Sequence, residues 1–516
     1  MSDTEPTPME TDKSPETPSE SFSDEVPASQ AKEKKGCCVG CKGFFLYDVE
    51  REDVQAFYFN QFGRSILFIS FMFLSLGVLQ LAYATAGCPQ NPNGTYQNCG
   101  NKVYGMLPSD ILAMMALIGG LSTAAFMPYA GAVVDFSDHR LAFGKVCATV
   151  LVLVNFAQIF IFESTWFGMV IAQSFLAAST FMANSMVLWS YVNAPTDHDL
   201  HGITSSGRLW ETIAMLSFFI VVAVVQFATG WDSVSLARFA QALASVVGGF
   251  CLFLAYKRYQ PVKAVKSLEG AKSLYIAGLV EIAKTSVSLW KTEPGAFVYL
   301  LASIFNEAAI SSFTNLSITY LAEQLEMTST SIIIFIMINF ATNPIGVIIH
   351  RFIARKIGHK KNYLLCIAYT LIITAFLISF VYEPSDANIA FVFSVIYGVA
   401  YGWYYPSSNG YYVSLVPEER VTELWGFNSF CSVILSWAPP AIFIALNQGT
   451  GSLRLGLLGT IIFLFIGFCV ACFIPERVRT VGADEEKGVH VKASLDGSTH
   501  ALKCTPQPFV DVMNQS

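Results

Sequence analysis

The chain has 516 residues, 53% of them apolar and only 13% charged, with a formal net charge of -7. Soluble domains carry roughly a quarter of their residues as charges, so this composition cannot clothe a water-facing surface of such length. A multidomain soluble protein is excluded, and with the acids gathered near the two ends nucleic-acid recognition is excluded as well.

Residues 1-31 are acidic and rich in Ser, Thr and Pro, with no apolar stretch near the start, and are expected to be disordered. Lys34 and Lys35 then precede Cys37, Cys38 and Cys41, a basic juxtamembrane setting that suits S-acylation. A metal site is the weaker alternative, because Cys38-Val-Gly-Cys41 supplies two ligands and nothing nearby supplies two more. This cytosolic segment is taken as 1-62.

Beyond it lie twelve apolar runs: 65-85, 107-130, 141-162, 165-192, 208-229, 236-256, 295-322, 328-349, 362-382, 387-414, 424-446 and 453-474. Each is long enough for the roughly 20 helical residues that cross a bilayer core. The predicted fold is an all-α polytopic membrane protein of twelve transmembrane helices. The first run would act as an uncleaved signal anchor.

Loop 86-106 has few basic residues and carries the sequon Asn93-Gly94-Thr95 between Cys88 and Cys99, which are spaced to close a small disulfide loop. That combination points to a lumenal or extracellular loop, with Asn93 as a glycosylation candidate. Arg140 and Lys145, the stretch Lys257 to Lys291, then Arg351, Arg355, Lys356, Lys360 and Lys361, and Arg420 fall in alternate loops. The positive-inside bias puts those loops and both termini in the cytosol.

The loop 257-294 holds seven lysines and arginines and an amphipathic middle around Leu274 to Trp290. It divides the chain into bundles 63-256 and 295-474, followed by a disordered tail, 475-516. Two internal correspondences support the division. Gly131-Ala132-Val133-Val134-Asp135 followed by Arg140 matches Gly346-Val347-Ile348-Ile349-His350-Arg351 followed by Arg355 and Lys356. Asn184 to Pro195 before an acidic loop matches Pro406 to Pro417 before Glu418-Glu419-Arg420. Such repeats, six helices plus six, resemble the major facilitator superfamily, with substrate near mid-membrane between the halves. Gly131, Asp135, Arg140, Gly346, Arg351, Arg355, Glu423 and Gly426 are the expected gate residues.

A charge at the bilayer centre costs at least about 2.5 kcal/mol, which makes Glu307, about twelve residues into the seventh run, the most informative acid. It can exchange a proton as the site is alternately exposed; a structural carboxylate is the competing reading. Asn306 beside it, with Asn184, Asn409 and other amides, can grip a zwitterion, although most such amides are interhelical glue. Arg208 and Glu211, one turn apart, read as an interfacial ion pair of little weight. Tyr397 and Tyr401, deeper than the other aromatics of the tenth run, are candidates to line a cavity for an apolar side chain. No nucleophile with a base, metal cluster, phosphate loop or cofactor motif appears outside the membrane, so no enzyme is expected.

Four stretches resemble one branch of the superfamily. Gly43-Phe44-Phe45-Leu46-Tyr47-Asp48 is similar to its Gly-Trp-x-x-Tyr-Asp opening, and Pro128, Gly131, Ala132, Asp135 and Arg140 fit its helix 2 to 3 pattern. Asn306-Glu307 sits where the branch carries an acid, usually Asp-Gly. Leu415-Val416-Pro417, then Glu423, Trp425, Gly426 and Phe427, then Ser436, Trp437 and Pro440 match its most specific signature. Two departures lie near the presumed pathway: Ser206 to Thr212 introduces Glu211 where a small residue is usual, and Ser408-Asn409 replaces a Ser-Arg pair. The chain thus resembles the vacuolar amino-acid effluxers linked to autophagy. The resemblance implies a vacuolar membrane transporter that exports amino acids to the cytosol by alternating access, with protons as a coupled partner. A facilitator for another solute and a non-transporting receptor of the same fold are the alternatives.

Overall fold

A computed structural model of the protein describes residues 50–90, 99–191, 197–264, 273–416 and 421–475. Their backbone is nearly all helical, as it must be where hydrocarbon offers no partner for a free amide or carbonyl. The first half contains α1 (Glu52–Thr85), α2 (Ile111–Phe136), α3 (Arg140–Ala157), α4 (Trp166–Ser190, with one π turn at Gln173–Ala177), α5 (Asp197–Thr229) and α6 (Ser233–Arg258). A surface helix, α7 (Leu274–Thr292), leads to the second. There follow α8 (Pro294–Thr319), α9 (Ser329–Ile357), α10 (His359–Phe380), α11 (Ala387–Leu415), α12 (Val421–Cys431), α13 (Ala438–Thr450) and α14 (Leu458–Cys472).

Eleven helices among the described residues are long and apolar enough to cross a bilayer. The expected run 424-446 differs, because it is two helices, α12 and α13, separated by turns over 432–437. The cause is local. Pro439 and Pro440 have no N–H to give the carbonyls of Leu435 and Ser436. The Leu435 carbonyl instead accepts from the Ala438 amide at 3.0 Å, and that of Ser436 from the Ser312 hydroxyl of α8 at 3.2 Å. Proline is then harmless, since it occupies the first turn of α13.

Two helices begin earlier than their apolar runs. α1 starts at Glu52, so the boundary drawn at residue 62 falls inside it, and acidic Glu52 and Asp53 suit its first turn. α5 starts at Asp197, which places Arg208 eleven residues along the helix and well away from its end.

The halves repeat one pattern of neighbours. α1 packs on α6 as α8 packs on α14, α2 on α4 as α9 on α11, and α3 on α6 as α10 on α14. Lipid removes the hydrophobic driving force between helices, leaving close packing to hold them. Small residues supply it. A Cβ on Gly63 would lie 2.7 Å from the Gly248 carbonyl oxygen across the α1–α6 seam. In the α9–α11 seam, Cβ atoms on Gly346, Gly398 and Gly402 would overlap the carbonyl oxygens of Val399, Asn339 and Asn343.

α7 packs through Gly278 against the Pro128 carbonyl of α2, and turns Ile276, Leu279, Val287 and Trp290 outward. Such an exposed apolar stripe suits the interface of a bilayer. On the opposite face, where α1 ends, Cys88 and Cys99 are joined by a disulfide with Cα atoms 5.4 Å apart. Asn93, Cys37, Cys38 and Cys41 lie outside the described residues. We name the two sides the linker face and the disulfide face.

The seams make a direct prediction. Gly402→Ala should lower the melting temperature of the purified protein by several degrees, corresponding to about 1–3 kcal/mol of overpacking. Gly131→Ala should not, because a Cβ there meets only the Met186 methyl at 3.5 Å. Equal melting temperatures for the two variants would contradict the packing argument.

Candidate functional site

The cleft between the halves contains charges from both. Arg208 of α5 pairs with Glu211, Nη1 to Oε2 at 2.9 Å, and its guanidinium lies 5.5 Å from the ring centre of Tyr405 on α11. Its side chain stays 47% accessible while touching both halves, so it lines the cleft. Glu307 of α8 is half-buried, and its carboxylate is within electrostatic reach of the Arg208 guanidinium and the Tyr404 hydroxyl. Tyr401, Tyr405, Tyr299 and Tyr363 also lie within the field of that carboxylate. Two carboxylates and one guanidinium thus converge on an aromatic wall.

Tyr401 and Tyr405 join their hydroxyls at 3.3 Å. Beyond Tyr401 an apolar cavity runs towards the disulfide face, lined by Phe313, Phe335, Ile336, Leu377 and Tyr397 among others. Tyr397 stacks on Phe313 with ring centres 4.6 Å apart. The pair Tyr397 and Tyr401, one turn apart on α11, therefore faces an apolar space adjoining the charged cleft.

The two faces close differently. On the disulfide face the halves are fastened by polar bonds: the Asn447 and Gln448 amides of α13 donate to buried Asp110 at the head of α2, at 2.7 and 3.0 Å. Ser233 and Ser329 hydroxyls, at the starts of α6 and α9, also meet across the halves at 2.6 Å. On the linker face an aromatic contact spans the halves, Trp189 of α4 against Trp425 of α12 with ring centres 5.4 Å apart.

Several expected site residues stand elsewhere. Asn184 donates to Asn60 at 3.0 Å and accepts from the Tyr256 hydroxyl, which makes it a buried joint within the first half. Asn306 points between helices of the second half, donating to the Tyr363 hydroxyl at 3.3 Å and pressing on Gly467 of α14. Asn409 is half-buried on α11, two turns beyond Tyr401. Arg140 does not bridge the halves: its guanidinium caps the end of α2 through the Val134 carbonyl at 2.7 Å and reaches the Ser190 carbonyl of α4 at 3.4 Å.

The glycines also divide. A Cβ on Gly131 or Gly426 would meet only the Met186 methyl, at 3.5 and 3.8 Å, so neither makes a tight helix contact, whereas Gly346 sits in the α9–α11 seam. Asp135 is half-buried at the end of α2, and Arg351 and Arg355 are exposed at the end of α9. The Glu423 side chain lies outside the described residues.

Two charged groups were not singled out from the sequence. Asp110 lies inside the run 107-130, where a carboxylate is itself a signal. Arg64 immediately precedes the run 65-85.

Comparison with known proteins supports this reading of the fold. The family model described as "Vacuole effluxer Atg22 like" matches residues 192–481, more than half of the chain. A Bacillus subtilis (strain 168) protein described as "Uncharacterized MFS-type transporter YxiO" is 21% identical over 184 residues. That match covers 36% of this chain and spans only 42% of the relative's length. Among solved structures, a point mutant of nucleoside transporter NupG superposes with a TM-score of 0.55 at 13% identity, covering 83% of this chain and 100% of the other. A D-xylose-proton symporter gives 0.54 at 15%, covering 82% and 95%. Identities so low speak to the fold alone. With its paired six-helix halves and a family match that spans the whole of the second, the chain has the multi-pass fold of the major facilitator type and belongs to the vacuole effluxer Atg22 like family.

Proposed function

We propose that this protein exports amino acids from a vacuole-like compartment to the cytosol by alternating access, with Glu307 as the group whose charge changes during the cycle. The observation that carries this reading is the meeting of Arg208, Glu211 and Glu307 in the cleft beside the apolar cavity at Tyr401. A zwitterion needs both signs of charge within one site, and an apolar side chain needs a dry space next to them. The cleft offers both. One proton taken up by Glu307 changes the net charge of the site by one, which gives a solute and a proton a shared account of the same field.

The family's description as vacuole effluxers supports the compartment and the direction. The alternation of basic loops supports an orientation with the linker face and both termini in the cytosol and the disulfide face in the lumen. Both the polar fastening at Asp110 and the aromatic contact of Trp189 with Trp425 are made in this structure, and rocking of the two halves would open one of them at a time.

Counterflow of labelled amino acids into proteoliposomes containing the full chain tests the substrate class. Exchange of leucine or phenylalanine is expected; exchange confined to nucleosides or sugars would refute it. In the same vesicles Glu307→Gln should remove the dependence of uptake on an imposed pH gradient while leaving exchange intact. A gradient response equal to wild type would sink the proton-carrying role. Filling the cavity with Ile336→Trp should raise KM for leucine and phenylalanine by roughly tenfold or more and leave alanine nearly unchanged. A uniform effect on all three would argue against the cavity as the side-chain site.

A further inference from the structure

Arg64 lies twelve residues into α1, within the membrane-spanning part of the first half, and is only 7% exposed. Its Nη2 donates to the Gln61 side-chain oxygen at 2.7 Å, and its guanidinium carbon stands 4.8 Å from the ring centre of Phe181 on α4. Phe181 is in turn held by Phe68, with ring centres 5.3 Å apart. The Nε donor is buried with no acceptor among the described residues. No described carboxylate lies within ion-pair distance of Arg64; the ion pairs among these residues are Arg51 with Asp53 and Arg208 with Glu211.

A cation inside a bilayer is normally paired, or it marks a pathway. Arg64 has a neutral amide and an aromatic face, which compensate part of the desolvation and leave most of the guanidinium fork unspent. Met72, eight residues further along the same broad face of α1, lines the apolar cavity, which sets Arg64 beside the cleft; Glu211 and Arg208 of α5 act on it electrostatically, as do Tyr256 of α6 and Tyr259, the residue that follows it. Arg208 is committed: it is tied to Glu211 and laid over Tyr405. The cation with donors to spare beside the cleft is therefore Arg64.

We propose that Arg64 is the anchor for the carboxylate of the transported solute, an assignment that rests on the zwitterion reading above. A planar guanidinium matches a carboxylate with two parallel hydrogen bonds, a geometry no lysine reproduces. The ammonium end then faces Glu211, which lies within the electrostatic reach of Arg64. Phe181 and Gln61 hold the fork in place in the absence of solute, so its order does not depend on binding.

The test compares leucine with leucinamide, which keeps the amine and the side chain but has no carboxylate. Each competes against labelled leucine in counterflow with the reconstituted full chain. Wild type should prefer leucine by at least roughly tenfold, the scale of a charge-assisted bidentate contact. Arg64→Gln should bring the two to equal potency by weakening leucine alone, and Arg64→Lys should retain a reduced preference. Melting of each purified variant without ligand reports folding. Should the glutamine variant not fold, Arg64→Met fills similar volume without a buried amide and takes its place. A folded neutral variant that still prefers leucine as strongly as wild type overturns the assignment while leaving the transport reading intact. Wild-type vesicles that exchange no amino acid overturn both.

Discussion

Hydrocarbon supplies no hydrogen-bond partner, and from that one constraint most of this molecule follows. Each segment that crosses must close its own backbone bonds, so the chain is a set of helices whose lengths are dictated by the bilayer. Where the sequence breaks this rule, at Pro439 and Pro440, the freed carbonyls are recaptured locally and by Ser312 of a neighbouring helix. The rule also governs side chains. Polar groups inside the halves are spent on one another, as in the chain from Asn60 through Asn184 to Tyr256.

The same constraint explains what could be read from the sequence. Apolar length located the eleven helices long enough to cross a bilayer, because lipid enforces length directly. Helix ends were less legible: charges were taken as boundaries, yet α1 continues back through Arg64 to Glu52 and α5 back through Arg208 to Asp197. Both cations therefore sit within helices and not at their first residues. The break between α12 and α13 was visible as paired prolines, but a hydropathy run does not register the loss of a donor.

Glu307 was recognisable from its depth alone, since few carboxylates occur so far inside an apolar run. Asn306, its neighbour, shows the limit of that argument. Adjacent residues on a helix point about 100° apart, so one faces the cleft and the other faces Tyr363 and Gly467 inside the bundle. Depth can be read from one segment; facing depends on how several segments are rotated against each other. The gate glycines make the same point, for Gly346 is packed tightly and Gly131, its counterpart in the repeat, is not.

The interruption at 432–437 has a mechanical meaning. A continuous helix transmits a twist along its hydrogen-bond ladder from one end to the other, and a segment in two pieces does not. α13 is moored to Asp110 on the disulfide face, while α12 carries Trp425 against Trp189 on the linker face. The piece that bears the aromatic contact can therefore swing while its other piece stays moored, and the two doors of the pathway need not be hung on the same rigid post.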